Sequence, residues 1–215
     1  MDKFFSIEKE SKYELVVKKS KFIANAYYVE NEKDAEEKIK AIKRKYYDAR
    51  HNCYAYKIMS TEKAEYKKCS DDGEPSGTAG MPILNVIEKR KLSNILIIVT
   101  RYFGGILLGT GGLTRSYSDA ACGAIENAEI ISVENGKTIN IQIPYSENKN
   151  FLLFCKNNDI KIINEKYEEN IVFEVEINEE QYEKIKEKIN NDNVDWKEEK
   201  ATSNEIGRIF VKKPI

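Results

Sequence analysis

The sequence predicts an α+β protein with two domains, one over residues 1–135 and the other over residues 138–215. The chain has 215 residues, of which 41% are hydrophobic, so it can bury the cores of two small domains. After residue 138 the predicted elements follow the order β-α-β-β-α-β, which is typical of a separate domain. Residues 134–137, Glu-Asn-Gly-Lys, are predicted to form a turn at the boundary.

The first domain is predicted to begin with a hairpin and a helix. Residues 12–29 are β-prone on both sides of Lys18-Lys19-Ser20, which predicts two strands joined by a turn. A helix is expected over residues 31–47, with Asn31 as its N-cap. Its apolar residues are spaced so that they share one face: Ala35, Ile39, Ile42 and Tyr46.

The middle of the chain is predicted to hold a buried central strand. NILIIVT, residues 94–100, is a continuous apolar run rich in β-branched residues, and it leads directly into Arg101. SDDGEPSGTAG, residues 70–80, has the composition of a loop. The other elements expected in this domain are strands at 51–58 and 65–69 and helices at 81–92 and 113–128.

The second domain is predicted to be ferredoxin-like, because its elements follow the order β-α-β-β-α-β. Asn178 and Gln181 are expected to form a variant capping box at the start of its second helix. Its elements are expected at 138–144, 146–158, 159–167, 170–177, 179–190 and 194–201.

Composition excludes several classes of function. The 35 Lys and Arg residues nearly balance the 36 Asp and Glu residues, so no strong field favours nucleic acid or a membrane. No apolar run approaches the length of a membrane span. Four scattered cysteines are typical of a reduced, cytoplasmic protein. With a single histidine, His51, a zinc site is not expected, and the sequence predicts no metal and no cofactor.

The glycine-rich stretch after the buried strand is interpreted as an anion-binding loop. Bare backbone lets N–H groups approach a ligand closely, a helix start adds partial positive charge, and guanidinium groups clamp phosphate or carboxylate. The Walker and dinucleotide fingerprints both fail here, and tight turns or helix–sheet packing would also explain the glycines. The candidate ligand-binding residues are Arg101, Gly104, Gly105, Gly109, Gly111, Gly112, Arg115 and Thr78.

The acidic loop and the single histidine supply the candidate catalytic residues. Asp71, Asp72 and Glu74 have the chemistry to bind magnesium or a basic partner, to act as acid and base, or to cap the helix after Thr78. Any mechanism that needs a histidine must use His51. No spacing selects a nucleophile among the available hydroxyl and thiol groups, Ser76, Ser116 and Cys53.

The motifs DDGEPSGTAG and RYFGGILLGTGGL, with the strand HNCYAYKI, resemble those of the IMPACT family and its bacterial YigZ-like members. The resemblance covers residues 51–121 directly. It implies an N-terminal domain like the second domain of ribosomal protein S5 and a ferredoxin-like C-terminal domain. Eukaryotic members of that family regulate translation, so the resemblance also implies a translation-linked role.

Three functions follow as hypotheses. The first is a non-catalytic binding module that contacts RNA, the ribosome or a translation factor through the anion-binding loop. The second is an enzyme acting on a phosphorylated or other anionic small molecule, with His51, Asp71 or Asp72, and Arg101 in the site. The third is a scaffold that docks a partner on the acidic loop. No membrane partner is expected.

Overall fold

The computed structural model describes residues 3–59, 64–191, 194–199 and 208–214. The chain divides into two compact units, one built mainly from Phe4–Ser132 and the other mainly from Val133–Lys212. The α+β class and the two-unit organisation predicted from the sequence are confirmed.

The N-terminal unit is built on a five-stranded antiparallel sheet. Its strand order is β2-β3-β6-β4-β5, so β6 lies in the centre. The elements from the start of the chain to the end of this unit are β1 (Lys3–Ile7), β2 (Ser11–Val17), β3 (Ser20–Tyr28), α1 (Glu32–Lys45), β4 (His51–Met59), β5 (Glu65–Ser70), α2 (Gly80–Lys89), β6 (Ile95–Tyr102) and α3 (Gly109–Glu126).

Strand β6 is buried on both faces, which confirms the prediction of a central strand. Side chains alternate along a strand, so Ile95, Ile97 and Val99 enter the core that includes residues of α2 and α3. Leu96 and Ile98 enter a second core, which includes residues of α1. The apolar run therefore follows from a sheet covered by helices on both sides.

The predicted hairpin and first helix are also confirmed. Lys18 and Lys19 adopt left-handed backbone angles, with φ of 46° and 66°, as a two-residue hairpin turn requires. Asn31 caps α1, since its side chain accepts a hydrogen bond from the backbone N–H of Asp34. The short strand β1 was not predicted.

Helix α3 begins at Gly109, four residues before the predicted start at residue 113. Glycine disfavours a helix, but the buried face of α3 packs against β2, β3 and α2 and outweighs that cost. Three glycines that precede the predicted start, Gly109, Gly111 and Gly112, therefore lie in its first turn.

The C-terminal unit confirms the β-α-β-β-α-β order. Its first strand is β7 (Ile130–Ile143). The strand order β10-β7-β9-β8 places β7 inside the sheet, between β10 and β9. A short 3-10 helix, Tyr145–Glu147, precedes the first helix, and Lys200 and Ala201 of the last predicted strand lie outside the described residues. The remaining elements are α4 (Asn148–Asn157), β8 (Lys161–Tyr167), β9 (Ile171–Asn178), α5 (Glu179–Asn191), β10 (Lys197–Glu199) and an unpredicted strand, β11 (Arg208–Pro214), which also pairs with β7.

The prediction of a turn at residues 134–137 is wrong. These residues lie within β7, and Gly136 and Lys137 pair with Asn178 and Ile177 of β9. The ladder therefore overrides the turn propensity of Asn-Gly. The capping box is confirmed, because Asn178 and Gln181 each accept the other's backbone N–H through a side-chain oxygen, both at 2.9 Å.

All four cysteines are free thiols. Among the described residues, no helix combines the length and the hydropathy needed to cross a membrane.

Candidate functional site

The candidate site forms where the end of β6 meets the start of β4. The two strands are antiparallel, and Arg101 is the register partner of His51. The sequence predicts a candidate site in the glycine-rich stretch that follows the buried strand. The end of β6 meets the start of β4 because neighbouring antiparallel strands run in opposite directions.

Asp71 stabilises the acidic loop and caps α2. Its carboxylate accepts hydrogen bonds from the backbone N–H groups of Gly77 at 2.8 Å, Ala79 at 3.0 Å and Gly80 at 2.9 Å. Burial alone would raise the pKa of this carboxyl, but the three N–H donors outweigh it and lower the pKa. Asp71 therefore has a structural role in this geometry, the capping role that the sequence analysis left open.

Asp72 and Thr78 are also engaged within the chain. The Asp72 carboxylate accepts hydrogen bonds from Nζ of Lys43 at 2.6 Å and from the backbone N–H of Asn52 at 2.7 Å. The Thr78 hydroxyl donates to the carbonyl of Pro75 at 2.7 Å, and the residue is buried. Neither side chain is among those that line the cleft described below.

Glu74 and Arg101 form a buried ion pair. Nη1 of Arg101 donates to Oε1 of Glu74 at 2.7 Å, and the Tyr117 hydroxyl donates to the same oxygen at 2.8 Å. The guanidinium also lies between the rings of Phe22 and Phe103. Arg101 is only 6% exposed, and its buried Nε has no hydrogen-bond partner among the described residues.

His51 is held in a defined orientation beside this pair. Its Nδ1 lies 2.9 Å from the carbonyl oxygen of Asp72. A carbonyl only accepts, so Nδ1 carries a proton, and in the neutral tautomer that this contact selects Nε2 is an acceptor. Nε2 lies 4.0 Å from Oε1 of Glu74.

The candidate nucleophiles Cys53 and Ser116 are not presented to a ligand. The Cys53 thiol donates to the Asp71 carbonyl at 2.9 Å, and burial raises its pKa to about 12. The Ser116 hydroxyl is buried and donates to the carbonyl of Gly112 at 2.8 Å. Burial also raises the pKa of Tyr117, which keeps its hydroxyl protonated as a donor to Glu74.

A cleft of about 690 Å³ opens above these residues. Of the residues predicted from the sequence, it brings together His51, Glu74, Arg101 and Gly109. Arg115 is exposed and does not line it. The lining residues that sequence analysis missed are Arg50, Gly73, Pro75, Leu107, Leu108, Thr110 and Leu113.

Arg50 is the most important of the missed residues. It is exposed, lines the cleft, and pairs with no carboxylate in the part of the chain that the structure describes. Its position directly before His51 was the available signal, because the residue preceding a site strand lies at the same edge of the sheet.

The glycines serve different purposes. A side chain at Gly104 would overlap the backbone of Lys19 and Ser20, so Gly104 is required by packing. Gly105 and Gly109 have left-handed φ values of 83° and 70°. A side chain at Gly111 would meet nothing within 4 Å, and its φ is not left-handed, so the fold does not require glycine there.

The start of α3 faces the cleft without a side-chain cap. Its N-cap residue is Leu108, which forms no capping bond, and the first turn carries no acidic residue. The first N–H groups of a helix lack intrahelical partners and carry partial positive charge, so this end favours an anion. Within the described residues, no group of three or more His, Cys, Asp or Glu is placed to hold a metal ion.

Comparison with known proteins identifies both parts of the chain. Residues 18–125 match the Impact N-terminal domain, and residues 141–191 match a Domain of unknown function (DUF1949). The IMPACT family member YigZ of Escherichia coli strain K12 is 31% identical over 159 residues, which cover 74% of this chain and 78% of that protein.

One further relative belongs to the same family, and one solved structure shares the fold. The IMPACT family member YvyE of Bacillus subtilis strain 168 is 41% identical over 128 residues, which cover 60% of this chain and 58%, less than two thirds, of that protein. A solved structure titled as that of a hypothetical protein is similar in fold, with a TM-score of 0.62 and 24% identity over 94% of this chain and 99% of that one. The family resemblance seen in the motifs is confirmed, and the chain belongs to the IMPACT family.

Proposed function

We propose that this protein is a non-catalytic, translation-linked regulatory module of the cytoplasm that binds RNA, free or in the ribosome, through a phosphate held at the start of α3. The observation that carries the proposal is the uncapped N-terminus of α3, which opens into a cleft together with exposed Arg50. Both features attract an anion, and neither is neutralised by an acidic side chain of its own.

Arg101 supports this site indirectly. Its Nη1 is already bound to Glu74, so Arg101 does not act as the free phosphate clamp expected from the sequence. Its unpartnered Nε is a buried donor in the wall of the cleft, and a bound ligand or water would satisfy it. Arg50 takes the role of the phosphate-contacting cation.

The link to translation is supported by family membership, because the family resemblance carries a role in translational regulation. The cytoplasmic location is supported by the free thiols. A translation factor is the alternative partner that the experiment below separates from RNA.

The test is binding of purified ribosomes, of single-stranded RNA and of purified translation factors as a function of salt. Phosphate contacts make binding weaken steeply as salt rises. Thr110→Asp places a carboxylate among the first N–H groups of α3, where it suits the helix dipole but competes with a phosphate. We expect it to reduce binding at least tenfold while the protein stays folded.

Thr114→Asp is the matched control. It makes the same substitution on α3 four residues later, at an exposed position that does not line the cleft. We expect near-normal RNA binding. Equal binding by wild type and Thr110→Asp, or retention of a protein factor with no RNA or ribosome binding at low salt, would overturn the proposal.

A second function, an enzyme acting on a phosphorylated small molecule, is favoured by one observation. Nε2 of His51 and Oε1 of Glu74 lie 4.0 Å apart in the lining of one cleft, so a substrate bound there would meet both groups. Glu74 replaces Asp71 and Asp72 as the carboxylate in this version, since both aspartates are engaged elsewhere. Phosphate release from a panel of phosphomonoesters, lost in His51→Gln, would support it; no turnover would exclude it for those substrates.

A further inference from the structure

We propose that the cleft binds a single ribonucleotide unit, with its phosphate at the start of α3 and its free vicinal hydroxyls against Glu74 and His51. This inference rests on the proposed function and deepens it, because it names the chemical class of the ligand. It follows from the hydrogen-bonding groups that lie deep in the cleft and those that lie at its rim.

The deep part of the cleft holds two acceptors, Glu74 and His51, beside the buried Nε donor of Arg101. The side chain of Glu74 is only 3% exposed, and that of His51 is 20% exposed, so both lie deep. Nδ1 of His51 donates to the carbonyl of Asp72, so in the neutral tautomer Nε2 is the acceptor. Glu74 already pairs with Arg101, so this depth offers no free positive charge to a phosphate. The hydroxyls of a sugar donate to Glu74 and His51 and can accept from Nε of Arg101.

The rim of the cleft is made of donors. Gly109 and Thr110, both exposed, begin α3, whose first N–H groups have no intrahelical partners. The guanidinium of exposed Arg50 lies at the same cleft and adds donors in a planar fork that fits a phosphate. A ligand that satisfies both regions carries an anion at one end and hydroxyl donors at the other.

The lining of the cleft also includes four apolar residues, Leu107, Leu108, Leu113 and Pro75. Leu107 is 83% exposed, which leaves its side chain available to cover the face of a planar group. The volume of about 690 Å³ lies within the range of small-molecule sites and is ample for one nucleotide. A nucleobase packed against these apolar side chains would occupy the remaining part of the cleft.

Two sources supply a phosphate together with free 2′ and 3′ hydroxyls. One is a free nucleoside 5′-monophosphate, and the other is the 3′ end of an RNA chain. An internal RNA nucleotide has its 3′ oxygen esterified and offers only one hydroxyl. The two sources share the chemistry that the cleft recognises, and the ligand series below separates them.

The experiment is titration of the wild-type full chain by calorimetry with four probes: uridine 5′-monophosphate, its 2′,3′-dideoxy analogue, uridine and inorganic phosphate. Loss of hydrogen bonds to a charged acceptor weakens binding, so we expect the dideoxy analogue to bind at least tenfold more weakly. Uridine and phosphate each lack one half of the match and should bind more weakly still. No variant is needed, so misfolding does not affect the result.

The source is identified with a short RNA carrying a free 3′ end and the same RNA carrying a 3′-phosphate. Preference for the free 3′ end assigns the cleft to RNA termini, and tight binding of the mononucleotide with no preference between the RNAs assigns it to free nucleotides. Equal affinity for the ribonucleotide and the dideoxy analogue would overturn the inference. If Thr110→Asp still weakened RNA binding in that case, the proposed function would stand while the inference fell.

Discussion

Nη1 of Arg101 lies 2.7 Å from Oε1 of Glu74, and the two side chains are 7% and 3% exposed. This contact joins the end of β6 to the acidic loop and fixes the carboxylate in the cleft. A buried pair of this kind loses most when one partner is removed, because the other charge is left without compensation.

Arg101→Met should therefore lower the free energy of unfolding by about 3–5 kcal/mol. Urea unfolding of the full chain, followed by circular dichroism, measures the change. Arg90→Met is the matched control, since Arg90 forms an exposed pair with Glu126 and should cost no more than about 1 kcal/mol. Similar losses for the two variants would show that the buried pair is not special.

Gly104→Ala and Gly111→Ala should change stability in opposite directions. A methyl group at Gly104 overlaps the backbone of Lys19, so we expect a loss of at least about 2 kcal/mol. At Gly111 the methyl group meets nothing, and replacing glycine within a helix should add about 0.5–1 kcal/mol. Thermal unfolding of both variants checks the signs, and destabilisation by Gly111→Ala would show that this residue has a packing role.

The capping box of α5 should be sensitive to Gln181. Its side-chain oxygen accepts from the Asn178 backbone N–H, and Nε2 donates to the carbonyls of Asn158 and Asp159. Gln181→Ala leaves these groups unpaired and should cost about 2 kcal/mol. Lys184→Ala, which removes only an exposed pair with Glu180, should cost under about 0.5 kcal/mol in the same urea titration.

Asp71 should make the free energy of unfolding depend on pH in the acidic range. Its pKa is lowered in the folded state from an ordinary 3.8, so the folded state binds the proton more weakly than the unfolded chain does. The stabilisation is present above pH 3.8 and is lost as pH falls through the lowered pKa. Asp71→Asn should be less stable at neutral pH and should lose less stability on acidification. Parallel pH profiles for wild type and variant would contradict this.

Cys53 should resist alkylation in the native protein. The residue is fully buried, and its pKa of about 12 leaves almost no thiolate at pH 8. Mass spectrometry after iodoacetamide treatment should show modification of partly exposed Cys122 before Cys53, with both modified in urea. Rapid native modification of Cys53 would restore it as a candidate nucleophile.

The sequence predicted those elements whose signal is local. The apolar run of β6, the Asn31 cap and the Asn178–Gln181 box each depend on a few neighbouring residues, and each is confirmed. The Asn-Gly pair at 135–136 failed because its outcome was decided by β9, a partner more than 30 residues away in sequence.

The candidate site was predictable in place but not in detail. The motifs identified the strand end, and the antiparallel pairing of His51 with Arg101 confirms that they converge. The sequence does not show which carboxylate faces the cleft. Asp71, Asp72 and Glu74 are almost adjacent, and the direction of each side chain depends on the folded loop. Backbone N–H groups bind the carboxylate of Asp71, and Lys43 binds that of Asp72. Of the three, Glu74 is the one that pairs with Arg101.

Burial of β6 on both faces has a consequence for motion at the cleft. Opening this strand would expose two cores at once, so amide protons from Leu96 to Val99 should be among the slowest to exchange with deuterated solvent. Arg101 follows directly on that slow segment, whereas Leu107, which lines the same cleft, is 83% exposed. Exchange should therefore be slowest on the β6 side of the cleft, and any rearrangement on ligand binding is expected around Leu107.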